Sequence, residues 1–199
     1  MYRPDPFRVN DPEEAWSFLE SHSFGQLISL GQGGLQATPM PFLVSADRRF
    51  LRAHLARQNP QWHELDEKQV LVSFLGPHAY VSPSWYTQPG VPTWNYSALQ
   101  VRGTCRLLHD PDRLEDLVRE LTHKHEAGLP RPWQAAPPRA KLKSIVGLEI
   151  QVDEIQCKYK LNQNRSMEER REVAEQLEAL GSSDVAAAMR RSLDPPAEA

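Results

Sequence analysis

Two short stretches of this chain concentrate side chains able to hold an anion or a polar ring. The first is His54-Leu55-Ala56-Arg57-Gln58-Asn59-Pro60-Gln61. It joins the end of a strand-like run to a capped helix start, with a guanidinium between them. Free N–H groups at a helix start attract anions, and arginine adds a two-pronged donor, so the stretch suits a phosphate. The plainer reading is a strand-to-helix turn with a solvated arginine. The second stretch is Lys158-Tyr159-Lys160-Leu161-Asn162-Gln163-Asn164-Arg165. On a strand, Lys158 and Lys160 share a face, and Gln163, Asn164 and Arg165 then offer amide and guanidinium donors in a row. That edge suits a phosphate or the polar rim of a heteroaromatic ring. Its plainer reading is a solvated strand end before a helix capped at Asn164 or Ser166.

Other chemistry is poorly served. His123 and His125 sit two apart on an expected helix, so they point in different directions and do not chelate one metal there. His125 continues an apolar stripe and reads as a core or boundary residue. His22, His63, His78 and His109 are isolated, and neither HExxH nor CxxC occurs. No GxSxG surrounds a serine, and there is no Walker loop and no GxGxxG after a strand. No residue stands out as acid, base or nucleophile. Metal hydrolysis, serine hydrolysis and a Rossmann cofactor are poor fits.

The run from Gly76 to Asn95, GPHAYVSPSWYTQPGVPTWN, reads as a stiff aromatic loop. Trp85, Tyr86 and Trp94 each have on the order of 150–250 Å² to bury. Pro77, Pro83, Pro89 and Pro92 pre-set the backbone. Such a loop covers something flat, meets a second subunit, or closes over the protein's own core.

The elements around these stretches follow from pattern. Asp11-Pro12-Glu13-Glu14 starts a helix ending near His22. Residues 24–30 form a strand, Gly31–Gly34 a hairpin turn, and LQATPMPFLV the return. Pro39 and Pro41 in that return leave one edge without a paired neighbour. FLRAHLA, QVLVSFL (69–75), AYVSP and the run 94–108 read as further strands. A short helical turn begins at Asn59-Pro60. A helix starts at Asp110-Pro111, carries Leu114, Leu117, Val118 and Leu121, and ends at Gly128. After the proline-rich connection 129–139, residues 145–161 form a long strand or a bent pair. Helices follow over 167–180 and 184–191, with a frayed tail at Asp194-Pro195-Pro196. Strands at hairpin spacing point to an antiparallel barrel or sandwich. Residues 1–165 read as one domain and 166–199 as a helical appendage.

Composition agrees with a globular protein: 199 residues, 40% hydrophobic and 25% charged. No run approaches a membrane span, and the start carries no signal-peptide core, so a cytoplasmic location is expected. Cys105 and Cys157 form neither a disulfide framework nor a metal cluster. A net charge of -3 gives no general attraction to nucleic acid. The last two helices have helix-turn-helix spacing, but Glu168, Glu169, Glu172, Glu175, Glu178 and Asp184 face four arginines there. That balance disfavours a phosphate backbone.

Taken together, MYRPDPF, HLARQNPQW, GPHAYVSPSWY with VPTWNY, and IVGLEI followed by KYKLNQNRS resemble the PaiB family of FMN-binding negative transcriptional regulators. The motifs run in the family's order from residue 1 to about 170. In the last motif Cys157 stands where the family more often has glycine. The resemblance implies a mainly β (α+β) split β-barrel of antiparallel strands with peripheral helices, like pyridoxamine-phosphate oxidase, and a homodimer with FMN in grooves between subunits. It implies that Thr38, Pro39 and Met40 lie along the flavin ring. His54, Leu55, Ala56, Arg57 and Asn59 hold the ribityl and phosphate end, Trp94 and Asn95 precede a flavin-touching strand, and Lys160, Gln163 and Arg165 close the groove. A DNA or protein partner follows from the regulator reading. The alternative in the same fold is a flavin reductase or oxidase, with a donor such as His54 near the flavin. A haem-binding relative would need His54 or His78 as axial ligand.

Overall fold

Apolar residues at alternate positions draw the middle of this chain into strands, and Pro12 and Pro111 start two of its helices. The computed structural model describes residues 1–134 and 138–193; the tail at Asp194-Pro195-Pro196 and part of the connection 129–139 lie outside them. In chain order the elements are β1 (Arg8–Val9), α1 (Pro12–Ser21), β2 (Phe24–Gly31), β3 (Gly34–Pro41), β4 (Leu43–Val44), β5 (Phe50–Ala56), β6 (Lys68–Val81), β7 (Thr93–Leu108), α2 (Pro111–Glu126), α3 (Arg139–Leu142), β8 (Ile145–Lys160), α4 (Met167–Ala179) and α5 (Ser183–Arg191).

Among the described residues the strands form one sheet in the order β3-β2-β6-β7-β8-β5-β4, with β1 paired to β8. The pairings β2–β3, β2–β6, β4–β5, β5–β8 and β1–β8 are antiparallel. One expectation changes, and one open alternative is resolved. QVLVSFL and the Ala79–Val81 part of AYVSP belong to one strand, β6, because the φ that proline fixes is compatible with a strand and Pro77 forfeits only one donor. Residues 145–160 are one strand rather than a bent pair.

The chain folds as two compact units. The larger comprises Trp16–Phe74 and Gln100–Ile155. Here α2 is capped by Asp110, whose carboxylate accepts from the backbone N–H groups of Asp112 and Arg113. Leu114, Leu117 and Leu121 bury with Leu108 and Leu142, and Leu43, Val118 and Ile145 pack against them. Arg52 bonds Glu120 at 2.5 Å and Arg113 bonds Glu149 at 2.6 Å, which ties the helix to β5 and β8. His125, expected at the core or its boundary, is exposed. It lies one turn beyond Leu121, where the apolar stripe has ended.

The smaller unit comprises Met1–Ala15, Leu75–Leu99 and Gln156–Ala199. Val173, Ala174 and Leu177 of α4 and Val185, Ala186, Ala188 and Met189 of α5 share a core with Ala79, Val81 and Leu161. Trp85, Tyr86 and Tyr159 pack against it. The two helices are thus part of this core, and much of the aromatic loop closes over it. Ser166 caps α4 by accepting from the Glu169 backbone N–H. Gly181 follows α4 at φ +80°, a left-handed conformation that glycine adopts without cost.

Each unit contains one free, buried cysteine, Cys105 in the larger and Cys157 in the smaller. Burial pushes both thiols up to about 12. No helix among the described residues is long and apolar enough to cross a membrane.

Candidate cofactor site

In the larger unit, β3 borders a single strand, β2, so its outer edge has no strand neighbour among the described residues. Pro39 and Pro41 lie on it, as the prolines require. Register places Leu27 opposite Thr38 and Gly25 opposite Met40. Thr38 and the buried Met40 therefore share a face with the fully buried Leu27, while Pro39 points to the other face and is exposed. The expected row Thr38-Pro39-Met40 is split between two faces.

The turn after β5 comes to the same place. Asn59 caps a short 3-10 turn, Pro60–Glu64, and its side-chain oxygen accepts from the Gln61 backbone N–H at 3.0 Å. Its amide nitrogen donates to the Thr38 hydroxyl at 3.1 Å. Thr38 in turn donates to the Gln61 side-chain oxygen at 2.6 Å. Gln61 is 1% exposed, and its amide nitrogen donates to the Ser29 hydroxyl at 2.9 Å and to the Leu27 carbonyl at 3.4 Å. The sequence marks Thr38 and Asn59 as separate candidates and includes Gln61 only as the end of its stretch, without a role; Gln61 joins them. The one signal for it was a glutamine directly after a proline-led cap.

The other residues of this stretch go elsewhere. Leu55 is buried in the core and Ala56 is exposed. Arg57 donates through Nε to the Lys143 carbonyl and through Nη2 to the Ile145 carbonyl, both at 2.9 Å. Its guanidinium lies 5.8 Å over the Trp62 ring. Much of its donor capacity is spent on the chain's own backbone. His54 opposes Gly147 across the β5–β8 ladder. A Cβ at Gly147 would fall 3.1 Å from Leu114, so this is the sheet face that α2 covers. The His54 Nδ1 is buried there without a partner, and burial pushes the imidazole below its ordinary range.

The remaining candidates belong to the smaller unit. Trp94 is 54% exposed, with Tyr80 edge-on at 6.2 Å and His78 at 6.4 Å. Asn95 is fully buried and donates to the Met189 sulfur at 3.2 Å, leaving its Oδ1 without a partner. Lys160 donates to the Thr93 hydroxyl and the Trp94 carbonyl, and desolvation lowers its pKa. The Gln163 side chain bonds the backbone of Tyr159 and Leu161. Arg165 lies 4.2 Å over the Tyr86 ring and donates to the Pro89 carbonyl at 3.3 Å. These donors order their own loops.

Outside these residues, a cavity of about 520 Å³ is lined by Leu43, Arg119, Glu120, His123 and Lys124. Arg119 is already paired with Asp116 at 2.5 Å, and Glu120 with Arg52. Among the described residues, the β3 edge with Thr38 and Asn59 is the candidate for holding a flat, polar cofactor. It combines an edge to which no strand pairs among the described residues with side-chain groups that retain hydrogen-bonding capacity.

Solved structures share this fold. The FAD and heme binding protein of Mycobacterium smegmatis matches with a TM-score of 0.64 at 17% identity, over 82% of this chain and 78% of that one. The flavocytochrome of Azotobacter vinelandii matches with a TM-score of 0.59 at 15% identity, over 76% and 68%. The class is the split-barrel flavin-binding fold. Residues 1–154 match the family model described as "Putative FMN-binding domain", and the chain belongs to that family. It is 40% identical over 186 residues to the protease synthase and sporulation protein PAI 2 of Bacillus subtilis, covering 89% of each. An uncharacterized protein of Emericella nidulans is 31% identical over 193 residues, covering 74% of this chain and 77% of its own. The chain is an FMN-binding, PaiB-like protein. When bound, FMN would supply redox chemistry through its ring, and the protein's part would be to bind and orient it.

Proposed function

We propose that this protein is a flavin-binding regulator that works as a homodimer, with FMN held where two copies meet. The observation that carries the reading is the exposed aromatic group of the smaller unit. Trp94 keeps more than half its surface in water with Tyr80 and His78 beside it, and Leu75 and Val91 are also exposed. Aromatic side chains of this size, left uncovered together, mark an interaction surface. The role as regulator draws on the relative named for protease synthesis and sporulation. The acidic run on α4 favours a protein partner over direct contact with DNA. An oxidoreductase reading would call on His54 as a donor, and its unpartnered nitrogen lies on the face that α2 covers.

Absorbance and sedimentation of the purified protein test the proposal together. The expected result is one FMN per chain in a particle of twice the chain mass, with Trp94→Ala shifting the particle toward monomer. A monomer that binds FMN stoichiometrically would remove the homodimer from the account. Steady turnover of a nicotinamide cofactor by the loaded protein would move the reading to a reductase.

A further inference from the structure

The hydrogen bonds around Gln61 run in one direction only. At one end the Gln61 backbone N–H donates to the Asn59 side-chain oxygen; at the other the Leu27 carbonyl accepts from the Gln61 side chain. Neither backbone group can exchange its role. Every link between them is thereby oriented. Asn59 must present its nitrogen to Thr38, so the Thr38 oxygen accepts. The Thr38 proton then goes to the Gln61 oxygen at 2.6 Å, because the Gln61 nitrogen is held by Leu27 and Ser29. A hydroxyl has one proton and two lone pairs, and a primary amide has two N–H donors. What remains at this part-buried junction is one lone pair on Thr38 and one N–H on Asn59, beside the second lone pairs of the Asn59 and Gln61 amide oxygens.

We infer that Gln61 is a positioning residue that sets the polarity of the site. Resting on the FMN reading above, the Thr38–Asn59 junction takes a group that donates and accepts at once. A phosphate at neutral pH mainly accepts, and its oxygens would face the Thr38 lone pair. A ribityl hydroxyl fits, donating to Thr38 and accepting from Asn59. The imide edge of the flavin ring fits in the same way, through N3–H and a neighbouring carbonyl. Without Gln61 the Thr38 proton is free to turn toward the ligand, and the selection is lost.

The test is titration of the apo protein with FMN, riboflavin, N3-methyl-FMN and FMN analogues each lacking one ribityl hydroxyl. Wild type is compared with Thr38→Val, Thr38→Ser and Gln61→Leu, each checked by thermal unfolding. Thr38→Val should weaken FMN by about tenfold and Thr38→Ser should restore it. Either one ribityl analogue or the N3-methyl compound should bind wild type about tenfold more weakly than FMN, and lose that penalty in Thr38→Val. Which of the two does so distinguishes the polyol from the ring. Gln61→Leu should shrink the same discrimination, an effect that lost stability alone does not produce. Should Gln61→Leu not fold, the Thr38 pair decides. Tight FMN binding that is indifferent to Thr38→Val overturns the inference and leaves the cofactor reading standing. So does a penalty removed in Thr38→Val for riboflavin alone, since the junction would then hold the phosphate. Failure of wild type to bind FMN overturns both.

Discussion

An arginine has five N–H donors, and the acceptors that they meet decide its work. Arg165 is 19% exposed at its side chain, lies 4.2 Å over the Tyr86 ring and reaches the Pro89 carbonyl. A Cβ at Gly90 would fall 2.6 Å from its Nη2, so the loop is closed tightly around it. Arg165→Ala should lower the unfolding free energy by about 1–2 kcal/mol, and Arg165→Lys should not restore it, because an ammonium does not stack as a plane does. Denaturant titration of the three proteins checks this; equal midpoints would mean that the stack does no structural work. His54 adds a pH dependence. Its folded pKa is depressed, so below about 6.5 the unfolded chain takes up the proton more readily than the native one. Its contribution to stability is complete above that value and is lost as pH falls through the lowered folded pKa. Melting temperature should therefore drop on acidification below pH 6.5, with a shallower slope in His54→Phe. A slope identical in both would assign that loss to other groups.

Elements depend on single positions where two backbones or two layers come close. At Gly103 on β7 a Cβ would lie 2.1 Å from the Gln151 carbonyl oxygen on β8. Gly103→Ala would force the strands apart, at a cost of about 1–3 kcal/mol or more. A melting temperature unchanged by it would mean that the ladder can shift there freely. Caps are milder: Asp110→Ala should cost about 1 kcal/mol, because Asp112 and Arg113 lose their acceptor. These caps, the span of β5 and the turn at Asn59-Pro60 were all legible in the sequence. Their causes lie within a few residues of one another. The partners of Gln61, Leu27 and Ser29, lie 34 and 32 residues away, and the carbonyls that take up Arg57 lie 86 and 88 away. No local pattern records such distances, so Arg57 reads as free for a phosphate and Gln61 as the end of a stretch with no role of its own. The family motifs carried the cofactor class instead. The resemblance marks Thr38 and Asn59 without showing that the two are bonded to each other.

At the scale of the whole molecule, the smaller unit draws its core from segments far apart in the chain. Leu177 on α4, Val185 and Met189 on α5 and Val81 on β6 are all buried in it. The helices read in the sequence as an appendage supply much of that core. Leu177→Ala should cost about 2–5 kcal/mol, and a chain cut after Arg165 should lose cooperative unfolding of this unit. Retention of sharp, wild-type-like unfolding by the shortened chain would show that the helices are dispensable. Buried sulfur offers a way to follow each half separately. Cys105 and Cys157 sit one per unit, each shielded from solvent with its thiol held far above neutrality. An alkylating reagent at pH 8 meets almost no thiolate until the surrounding core opens. The modification rate at each sulfur is then a clock for the opening of its own unit, read by mass spectrometry on the untagged protein. Adding FMN would show which clock the cofactor slows.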